Sequence, residues 1–324
     1  GKFVPFLREE ATEKSGFVRD VLKEGMAQEQ RLGVNPFKLG FIASSDTHIS
    51  APGAVNEKGF LGHGGAGVPA GAQLPEGLPD DLEFNPGGLA AVWATENSRD
   101  SIFAAMQRRE TYATSGPRIE LRFFGGWQLP ADMCEQQDYV ASGYEHGVAM
   151  GGDLLPQPAH SNDAPVFSVF ARMDPGTASQ PGMPLKAVQI IKVSVGPDGE
   201  SSEQVIDVAS SGAAEVGVDL ATCKTYGKGA PQLCAHWQDP NFNPAQRAYY
   251  YTRVLENPTC RWSQQLCVAA AVDCQRPATI KPGYESCCSV EHRPIIQERA
   301  WSSPIWYAPA AAQMDAQTPE PGQP

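Results

Sequence analysis

The sequence predicts an α/β part followed by an all-β part, with the boundary near Gly116. The first observation is a helical apolar pattern that leads into a short apolar run early in the chain. The second is a set of alternating apolar and polar runs after Pro117, which is typical of antiparallel strands. With 324 residues, of which 41% are hydrophobic and 19% charged, the chain can fold as one large domain or two ordinary ones.

Residues 16–32 are predicted to form an amphipathic helix. Ser15 is the expected N-cap, and Gly33 with Pro36 closes the segment. The apolar residues at helical spacing are Phe17, Val18, Val21, Leu22 and Met26. The run 38–44 follows and is nearly all apolar, which suits a strand buried on both faces. A helix followed by a buried strand is an α/β unit.

A glycine-rich loop is predicted over 50–88, because ten glycines and five prolines fall in these 39 residues. Loops of this length are usually functional covers or disordered segments. A second helix is expected to follow Asn97 or Ser98, either of which suits an N-cap. It is expected to end near Arg108 and Arg109, whose charges suit the C-terminal end of the helix dipole.

The segment 117–307 is predicted to be an antiparallel β-sandwich that is rich in cysteine toward its end. Its alternating runs are separated by Gly, Pro, Asp and Ser and lie at 119–123, 166–172, 185–195, 204–209 and 248–255. Residues 308–324 are rich in Ala, Gln and Pro and are predicted to be a flexible tail. The predicted domains are therefore 1–116 and 117–307.

The net charge of −12 argues against a nucleic-acid partner, since phosphates repel an acidic chain and no basic stripe is present. No apolar run approaches the roughly 20 residues that cross a bilayer, so no membrane span is expected. The chain begins at Gly1 without a signal-peptide pattern, so we expect that an upstream segment was removed or is not included.

The eight cysteines are predicted to form disulfides, because their number is even and they lack the paired C-x-x-C spacing of structural zinc sites. Disulfides persist mainly outside the reducing cytosol, so the protein is expected to be periplasmic or secreted. Several free buried thiols are the alternative. The pairing stays open, because eight cysteines allow about 105 pairings. The candidates are Cys134, Cys223, Cys234, Cys260, Cys267, Cys274, Cys287 and Cys288.

The motif Asp46-Thr47-His48 is the strongest candidate for a metal site. Residues two apart on a strand point to the same side, so this carboxylate and imidazole can converge on one ion. Oxygen and nitrogen ligands of this kind suit zinc, manganese or iron. The alternative is a turn aspartate beside a surface histidine.

His63 is the third candidate ligand, because the flanking glycines of Gly62-His63-Gly64-Gly65 let a loop fold closely over an ion or a substrate. An exposed loop histidine is the alternative.

Arg99 and Arg118 are candidates for binding an anionic substrate group, since an arginine can clamp such a group with two hydrogen bonds. Ordinary capping and surface pairing would also explain both arginines.

Four segments carry a family resemblance: Phe41–His48, Pro86–Ala94, Arg109–Arg118 and Gln297–Tyr307. Together they resemble the C-terminal portion of DUF3604, a bacterial family of unknown function, from about Phe17 to Tyr307. That family is similar to the PHP (polymerase and histidinol phosphatase) superfamily of metal-dependent hydrolases. The resemblance implies that residues 1–116 are the C-terminal part of a distorted α/β barrel with two or three metal ions and phosphoesterase activity.

The resemblance also assigns roles to two residues. The last metal motif of PHP proteins is a D-x-H at a strand end, which corresponds to Asp46 and His48. The H-x-H of their first motif is absent from the sequence, as are the upstream acidic and histidine ligands. The chain alone is therefore expected to be inactive, while the intact protein is expected to hydrolyse a small, anionic substrate.

Two functions are thus predicted. The first is a metal-dependent hydrolase, most similar to phosphoesterases, in which a divalent transition metal (Zn, Mn or Fe) activates water. The second is a non-catalytic exported protein whose β-sandwich binds a glycan or a protein partner. The second function is suggested by the aromatic and cysteine-rich β region. Packing in the core would also explain most of these aromatic residues.

Overall fold

The computed structural model describes residues 17–64, 82, 84–158, 163–178 and 180–309. Within these residues, two antiparallel sheets pack face to face, and four α-helices lie around them. One helix covers the outer face of each sheet, and a disulfide-rich region lies at one end.

The larger sheet has seven strands, all paired antiparallel. In spatial order they are β1 (Leu89–Val92), β2 (Thr111–Thr114), β14 (Arg299–Ser302), β11 (Arg247–Glu256), β6 (Leu185–Val195) and β7 (Ser201–Ser210), with β15 (Ile305–Tyr307) also paired to β11. β14 pairs with one half of β11 and β15 with the other. The chain segment after Glu298 therefore runs along the whole of β11.

The smaller sheet has four strands, in the order β10 (Gln232–Gln238), β5 (Val166–Arg172), β3 (Glu120–Gly126) and β4 (Val148–Ala149). Its inner face packs against the larger sheet through apolar side chains at alternate positions. Phe167 on β5 and Tyr250 on β11 meet across this interface with their ring centroids 4.3 Å apart. Aromatic pairs at this distance add to the stabilisation from burial alone.

The strand β11 is buried on both faces, which explains its aromatic run. Tyr250 and Val254 face the smaller sheet, whereas Tyr249 and Tyr251 face α1 (Val18–Leu32). Leu22 and Met26 of α1 are fully buried against this outer face. A strand with apolar neighbours on both sides carries apolar residues at consecutive positions.

On the other side of the molecule, α3 (Tyr139–His146) packs on the smaller sheet. A Cβ atom on Gly143 of α3 would come within 2.5 Å of the Phe124 ring, so this approach requires glycine. The disulfide Cys134–Cys234 ties the 3₁₀-helix Met133–Glu135, which precedes α3, to β10. None of the described helices is both long and apolar enough to span a bilayer.

A third apolar cluster surrounds α4 (Trp262–Ala269) and includes Phe60, Leu82 and Tyr284. Two short ribbons lie nearby, β8 (Gly217–Asp219) with β9 (Lys224–Tyr226) and β12 (Thr259–Cys260) with β13 (Ile295–Ile296). The remaining 3₁₀-helices in the described part of the chain are Pro277–Thr279 and Glu285–Cys288. The disulfides here are Cys223–Cys260, Cys267–Cys287 and Cys274–Cys288.

The disulfide prediction is confirmed, since all eight cysteines are paired and none is free. Disulfides persist mainly where the environment is oxidising, and four of them indicate that the protein works in such a compartment.

The fold class predicted for the first part of the chain, a portion of an α/β barrel, is wrong. The run 38–44 is not a strand, and Leu39 and Ile42 are 47% and 58% exposed. The strands β1 and β2, which flank α2 (Arg99–Gln107), pair antiparallel, whereas a βαβ unit of a barrel has parallel strands. The described residues form antiparallel sheets and no closed barrel.

Some predicted elements fit the structure. The first helix is confirmed as α1 and ends at Gly33, whose φ of 75° is the left-handed conformation that glycine adopts readily. Ser98, rather than Asn97, caps α2 by accepting a hydrogen bond from the Ser101 amide. The proposed N-cap Ser15, loop residues 65–81 and 83, and tail residues 310–324 lie outside the described residues.

The predicted division at Gly116 remains a prediction. The strands β1 and β2 precede this residue, and both join the sheet that contains β11 and β6. The first part of the chain therefore shares its sheet with the second.

Candidate functional site

The motif Asp46-Thr47-His48 lies in a segment without regular secondary structure, beside the start of β1 at the edge of the larger sheet. This segment approaches Gly87 and Gly88 closely, and the Gly88 amide donates a hydrogen bond to the Ser44 carbonyl over 2.7 Å. Gly87 has a φ of 109°, and a Cβ atom there would lie 2.6 Å from the Ser45 Cα atom. The glycine pair is therefore required for the segment to lie where it does.

Asp46 and His48 are both exposed, and Asp46 has a left-handed φ of 50°. Because the backbone is not a regular strand, the alternation that would place both side chains on one side does not apply. The His48 amide donates to the His63 carbonyl over 2.7 Å, so the loop that carries His63 is fixed beside the motif. His63 itself is buried, with its ring 5.1 Å from that of Phe60.

Asp46 and His63 line one cleft, of about 640 Å³, which we call the histidine cleft. The cleft also contains two cationic residues, Arg261 and Arg299, and one buried carboxyl, Glu298. His48 does not line it. The cleft thus combines acidic, imidazole and guanidinium groups in a volume that suits a small ligand.

Glu298 lies in the short connection between β13 and β14. Its side chain is hydrogen-bonded to Ser115, the residue that follows β2. The Ser115 hydroxyl donates to Glu298 Oε2, and the Arg299 amide donates to the same hydroxyl oxygen over 2.9 Å. Glu298 is only 7% exposed. Burial is the largest cause that raises the pKa of Glu298, to about 7, against the opposing effect of its hydrogen bond from Ser115 and the nearby arginines.

Glu57 forms a carboxyl pair with Glu298. Its carboxylate accepts a hydrogen bond from the backbone N–H of Trp262, the first residue of α4, where a helix dipole favours negative charge. That hydrogen bond lowers the pKa of Glu57, but burial and then the charge of Glu298 outweigh it and raise this pKa to about 8. Each of the two carboxyls affects the pKa of the other, so they titrate as a pair.

A second cleft, of about 770 Å³, is also lined by this pair, and we call it the carboxyl cleft. Its acidic lining residues are Glu57, Asp174, Glu256 and Glu298, and its basic ones are Lys58, Arg118 and Lys224. Glu256 is 2% exposed and follows Leu255 at a register shift of β11. Burial first, and then Glu298 and Asp174, raise the pKa of Glu256 well above its usual range.

Comparison with known proteins identifies the family. Residues 5–309 match a family described as a protein of unknown function, DUF3604. The chain belongs to DUF3604. No curated protein and no solved structure matches the chain at a significant level.

For this DUF3604 chain, the described residues do not fit a complete metal centre. Among them, no three His, Cys, Asp or Glu side chains are arranged so that they could hold an ion. Asp46 and His63 share the histidine cleft, but His48 does not line it. A catalytic metal site needs about three protein ligands. We therefore derive no chemical step through a metal.

The two candidate arginines lie apart. Arg118 is exposed at the carboxyl cleft, and its backbone N–H donates to Asp174 Oδ2 over 2.7 Å. Arg99 is exposed at the first residue of α2 and lines neither cleft. The roles of both in substrate binding remain predictions.

Three glutamates of the clefts were not predicted from the sequence: Glu256 and Glu298, which are buried, and Glu57, which is half-buried. One signal for Glu298 was present, because it lies in the segment Gln297–Tyr307 that carries the family resemblance. Glu57 lies within the glycine-rich stretch and Glu256 at the end of a strand, and neither has a local pattern. Their proximity arises only in the folded chain.

Proposed function

We propose that the protein is a hydrolase that acts on a small anionic substrate in the histidine cleft. The observation that carries this proposal is that Asp46 and His63 line the same cleft as Glu298 and two arginines. A guanidinium binds an anionic group with paired hydrogen bonds, so Arg261 and Arg299 are the residues to hold the substrate. Sequence resemblance to PHP enzymes favours a phosphoester.

Glu298 is the proposed group that moves a proton. Burial raises the pKa values of Glu298 and Glu57 to about 7 and about 8, so the pair can accept or release a proton near neutral pH. Glu298 would take a proton from water as the water oxygen bonds to phosphorus. The bond to the leaving alcohol breaks, and that proton passes to the alcohol oxygen.

Metal dependence remains part of the proposal. Asp46 and His48 are the ligands that the sequence predicts, and His63 is the third candidate. A bound divalent transition metal would lower the pKa of a water molecule and stabilise charge on the phosphoryl oxygens. Elemental analysis of the protein as its gene encodes it should detect zinc, manganese or iron, and the double variant Asp46→Ala, His48→Ala should lose most of it. Unchanged metal content in that variant would remove both ligands from the assignment.

Because this chain alone is expected to be inactive, activity is tested on the protein as its gene encodes it. The substrates are p-nitrophenyl phosphate and bis(p-nitrophenyl) phosphate, each with added zinc, manganese or iron in separate reactions. We expect Glu298→Gln to lower kcat about 100-fold or more, the usual size of an acid–base contribution. Glu200→Gln, an exposed glutamate between β6 and β7, is the matched control and should keep full activity. No hydrolysis by the wild type under any of these conditions, or equal rates in Glu298→Gln, would refute the proposal.

The location is proposed to be periplasmic or secreted, since four disulfides indicate an oxidising compartment. The alternative function, glycan or partner binding by exposed aromatic residues, has less support. Trp262 and Trp306 are buried, and Tyr249 to Tyr251 face the core or α1. These rings cannot stack on a sugar, which leaves the half-buried Trp237 and Trp301 as candidates.

A further inference from the structure

The half-buried Trp301 lines the histidine cleft but has no role in the proposed hydrolysis. It lies two residues after Arg299 on β14, and residues two apart on a strand point to the same side of the sheet. The Cζ atom of Arg299 lies 6.0 Å from the centre of the Trp301 ring. An anionic group bound by this guanidinium would therefore have its next substituent beside the indole.

Most of the hydrogen-bonding capacity of the Arg299 side chain is available to a ligand. Its Nε–H donates to the Gln297 carbonyl over 3.0 Å, which orients the guanidinium. Within the described residues, the side chain forms no other hydrogen bond and no ion pair. A guanidinium has further N–H donors in a planar fork, and these can hold two oxygens of one anion.

Arg253 adds positive charge beside Trp301. The two residues are paired across β11 and β14, so their side chains lie on the same face of the sheet. Burial and then the charge of Arg253 lower the pKa of Arg299, while Glu298 acts in the opposite direction. In the part of the chain that the structure describes, Arg253 forms no ion pair either. The surroundings of the indole therefore favour a ligand that carries negative charge.

Two further apolar side chains of the histidine cleft are exposed. Phe84 is 41% exposed and Ile295 45%, although both line the cleft. Their positions are fixed, since the Trp262 indole N–H donates to the Phe84 carbonyl over 2.9 Å and Ile295 pairs with Cys260 across β12 and β13. Burial of such surface against a ligand is favourable, and the rings of Trp and Phe pack well against another ring.

We propose that the substrate of the histidine cleft is an aryl ester, with its anionic group on Arg299 and its aromatic ring against Trp301. Phe84 and Ile295 supply further apolar surface, and a cleft of about 640 Å³ accommodates a molecule of this size. An alkyl ester would bind the guanidinium equally well but would leave the apolar surface in contact with water. This inference rests on the proposed function, because it names the substrate class of the same cleft.

Calorimetric titration of the protein as its gene encodes it, with phenylphosphonate and with methylphosphonate, tests the proposal. We expect the wild type to bind phenylphosphonate about tenfold or more tightly than methylphosphonate, because a ring is buried. Trp301→Leu should lose most of this preference. Tyr226→Leu removes an exposed ring outside the cleft and should keep it. Equal affinity of the wild type for both probes, no binding of phenylphosphonate, or an undiminished preference in Trp301→Leu would overturn the proposal.

A second variant keeps the test informative if Trp301→Leu does not fold. Ile295 is exposed, so Ile295→Ser removes apolar surface from the cleft without altering the core. Phenylphosphonate binding should weaken about threefold or more in this variant. Val290→Ser, at a position that is 94% exposed and outside the cleft, is the matched control and should bind like the wild type. Unchanged binding in Ile295→Ser would count against the site.

The probes also separate this inference from the proposed hydrolysis. Their carbon–phosphorus bond is not hydrolysed, so binding is measured whether or not the protein is a hydrolase. Preferential binding of phenylphosphonate without hydrolysis of any ester would refute the hydrolase and support the class of ligand. Hydrolysis of esters without a preference for phenylphosphonate would support the hydrolase and refute the class of substrate.

Discussion

Two groups of buried charges in this protein differ in how well they are satisfied. Lys192 and Asp239, 4% and 1% exposed, form an ion pair of 2.6 Å. Tyr250 donates to Asp239 over 2.7 Å, and Lys192 donates to the Asn241 carbonyl over 2.8 Å. The carboxyl cluster of Glu57, Glu256 and Glu298 has like charges instead, with raised pKa values and unpartnered oxygens.

The difference separates a structural group from a candidate site. The ion pair uses most of its hydrogen-bonding capacity inside the protein, so it has little left for a ligand. The carboxyl cluster leaves part of that capacity unused and faces a cleft. Groups with perturbed pKa values in a cleft are characteristic of functional sites. Substitutions in the two groups should therefore have different effects on stability.

The largest effect is expected for Lys192→Met. It leaves the Asp239 carboxylate buried without its cation, which typically costs about 3–5 kcal/mol. Urea unfolding under non-reducing conditions measures this loss. Lys186→Met, at an exposed position of the same strand, is the control and should change the free energy of unfolding by less than about 0.5 kcal/mol. Equal effects of the two variants would show that the ion pair is not structural.

The free energy of unfolding is expected to depend less on pH in Glu298→Gln than in the wild type. Because the folded-state pKa of Glu298 is raised to about 7, the unfolded chain loses this proton at lower pH than the folded one. The contribution of Glu298 to stability is therefore full below the unfolded pKa and is lost as pH rises toward 7.

Between pH 5 and pH 8 the wild type should thus lose about 3 kcal/mol more than Glu298→Gln, measured by urea unfolding at both pH values. Glu200→Gln, whose side chain is exposed, should follow the wild type. Parallel pH profiles of all three proteins would contradict the raised pKa.

A smaller loss is expected for Tyr250→Phe. The variant keeps the ring that packs against Phe167 but removes the hydroxyl that donates to Asp239. Hydrogen bonds to charged groups contribute about 1.5–3 kcal/mol, and we expect a loss near the lower value because Lys192 remains. The variant Tyr226→Phe, at an exposed position of β9, should have almost no effect on the melting temperature.

The smallest effect, of opposite sign, is expected for Glu256→Gln. The amide is neutral at every pH, so it avoids the cost of burying a carboxylate near Glu298 and Asp174. At pH 8 the free energy of unfolding should rise by about 1 kcal/mol. A loss as large as that of Lys192→Met would mean that Glu256 is a structural residue and not part of the candidate site.

Much of the β structure could be predicted from the sequence. The runs 166–172 and 185–195 coincide with β5 and β6, because alternation and β-branched residues are local signals. For the same reason, Gly33 was identified as a helix end and Ser98 as one of two candidate caps. These features depend on residues that are close together in the chain.

The run 38–44 could not be assigned in this way. A short apolar segment has no period that distinguishes a buried strand from an extended edge segment. Its position is determined by distant contacts, such as the hydrogen bond from the Phe41 amide to the Ser303 hydroxyl over 2.8 Å. The carboxyl cluster depends in the same way on residues 57, 256 and 298, which only the tertiary fold brings together.

The disulfide Cys223–Cys260 has a consequence for when the carboxyl cleft forms. Both cysteines line this cleft, and Cys267–Cys287 fixes the helix whose first amide binds Glu57. In a reducing compartment these links are absent, and the walls that hold the three glutamates together are not tied to one another. The cleft therefore takes its final form only with oxidation, so its walls should be tied together only in an oxidising environment.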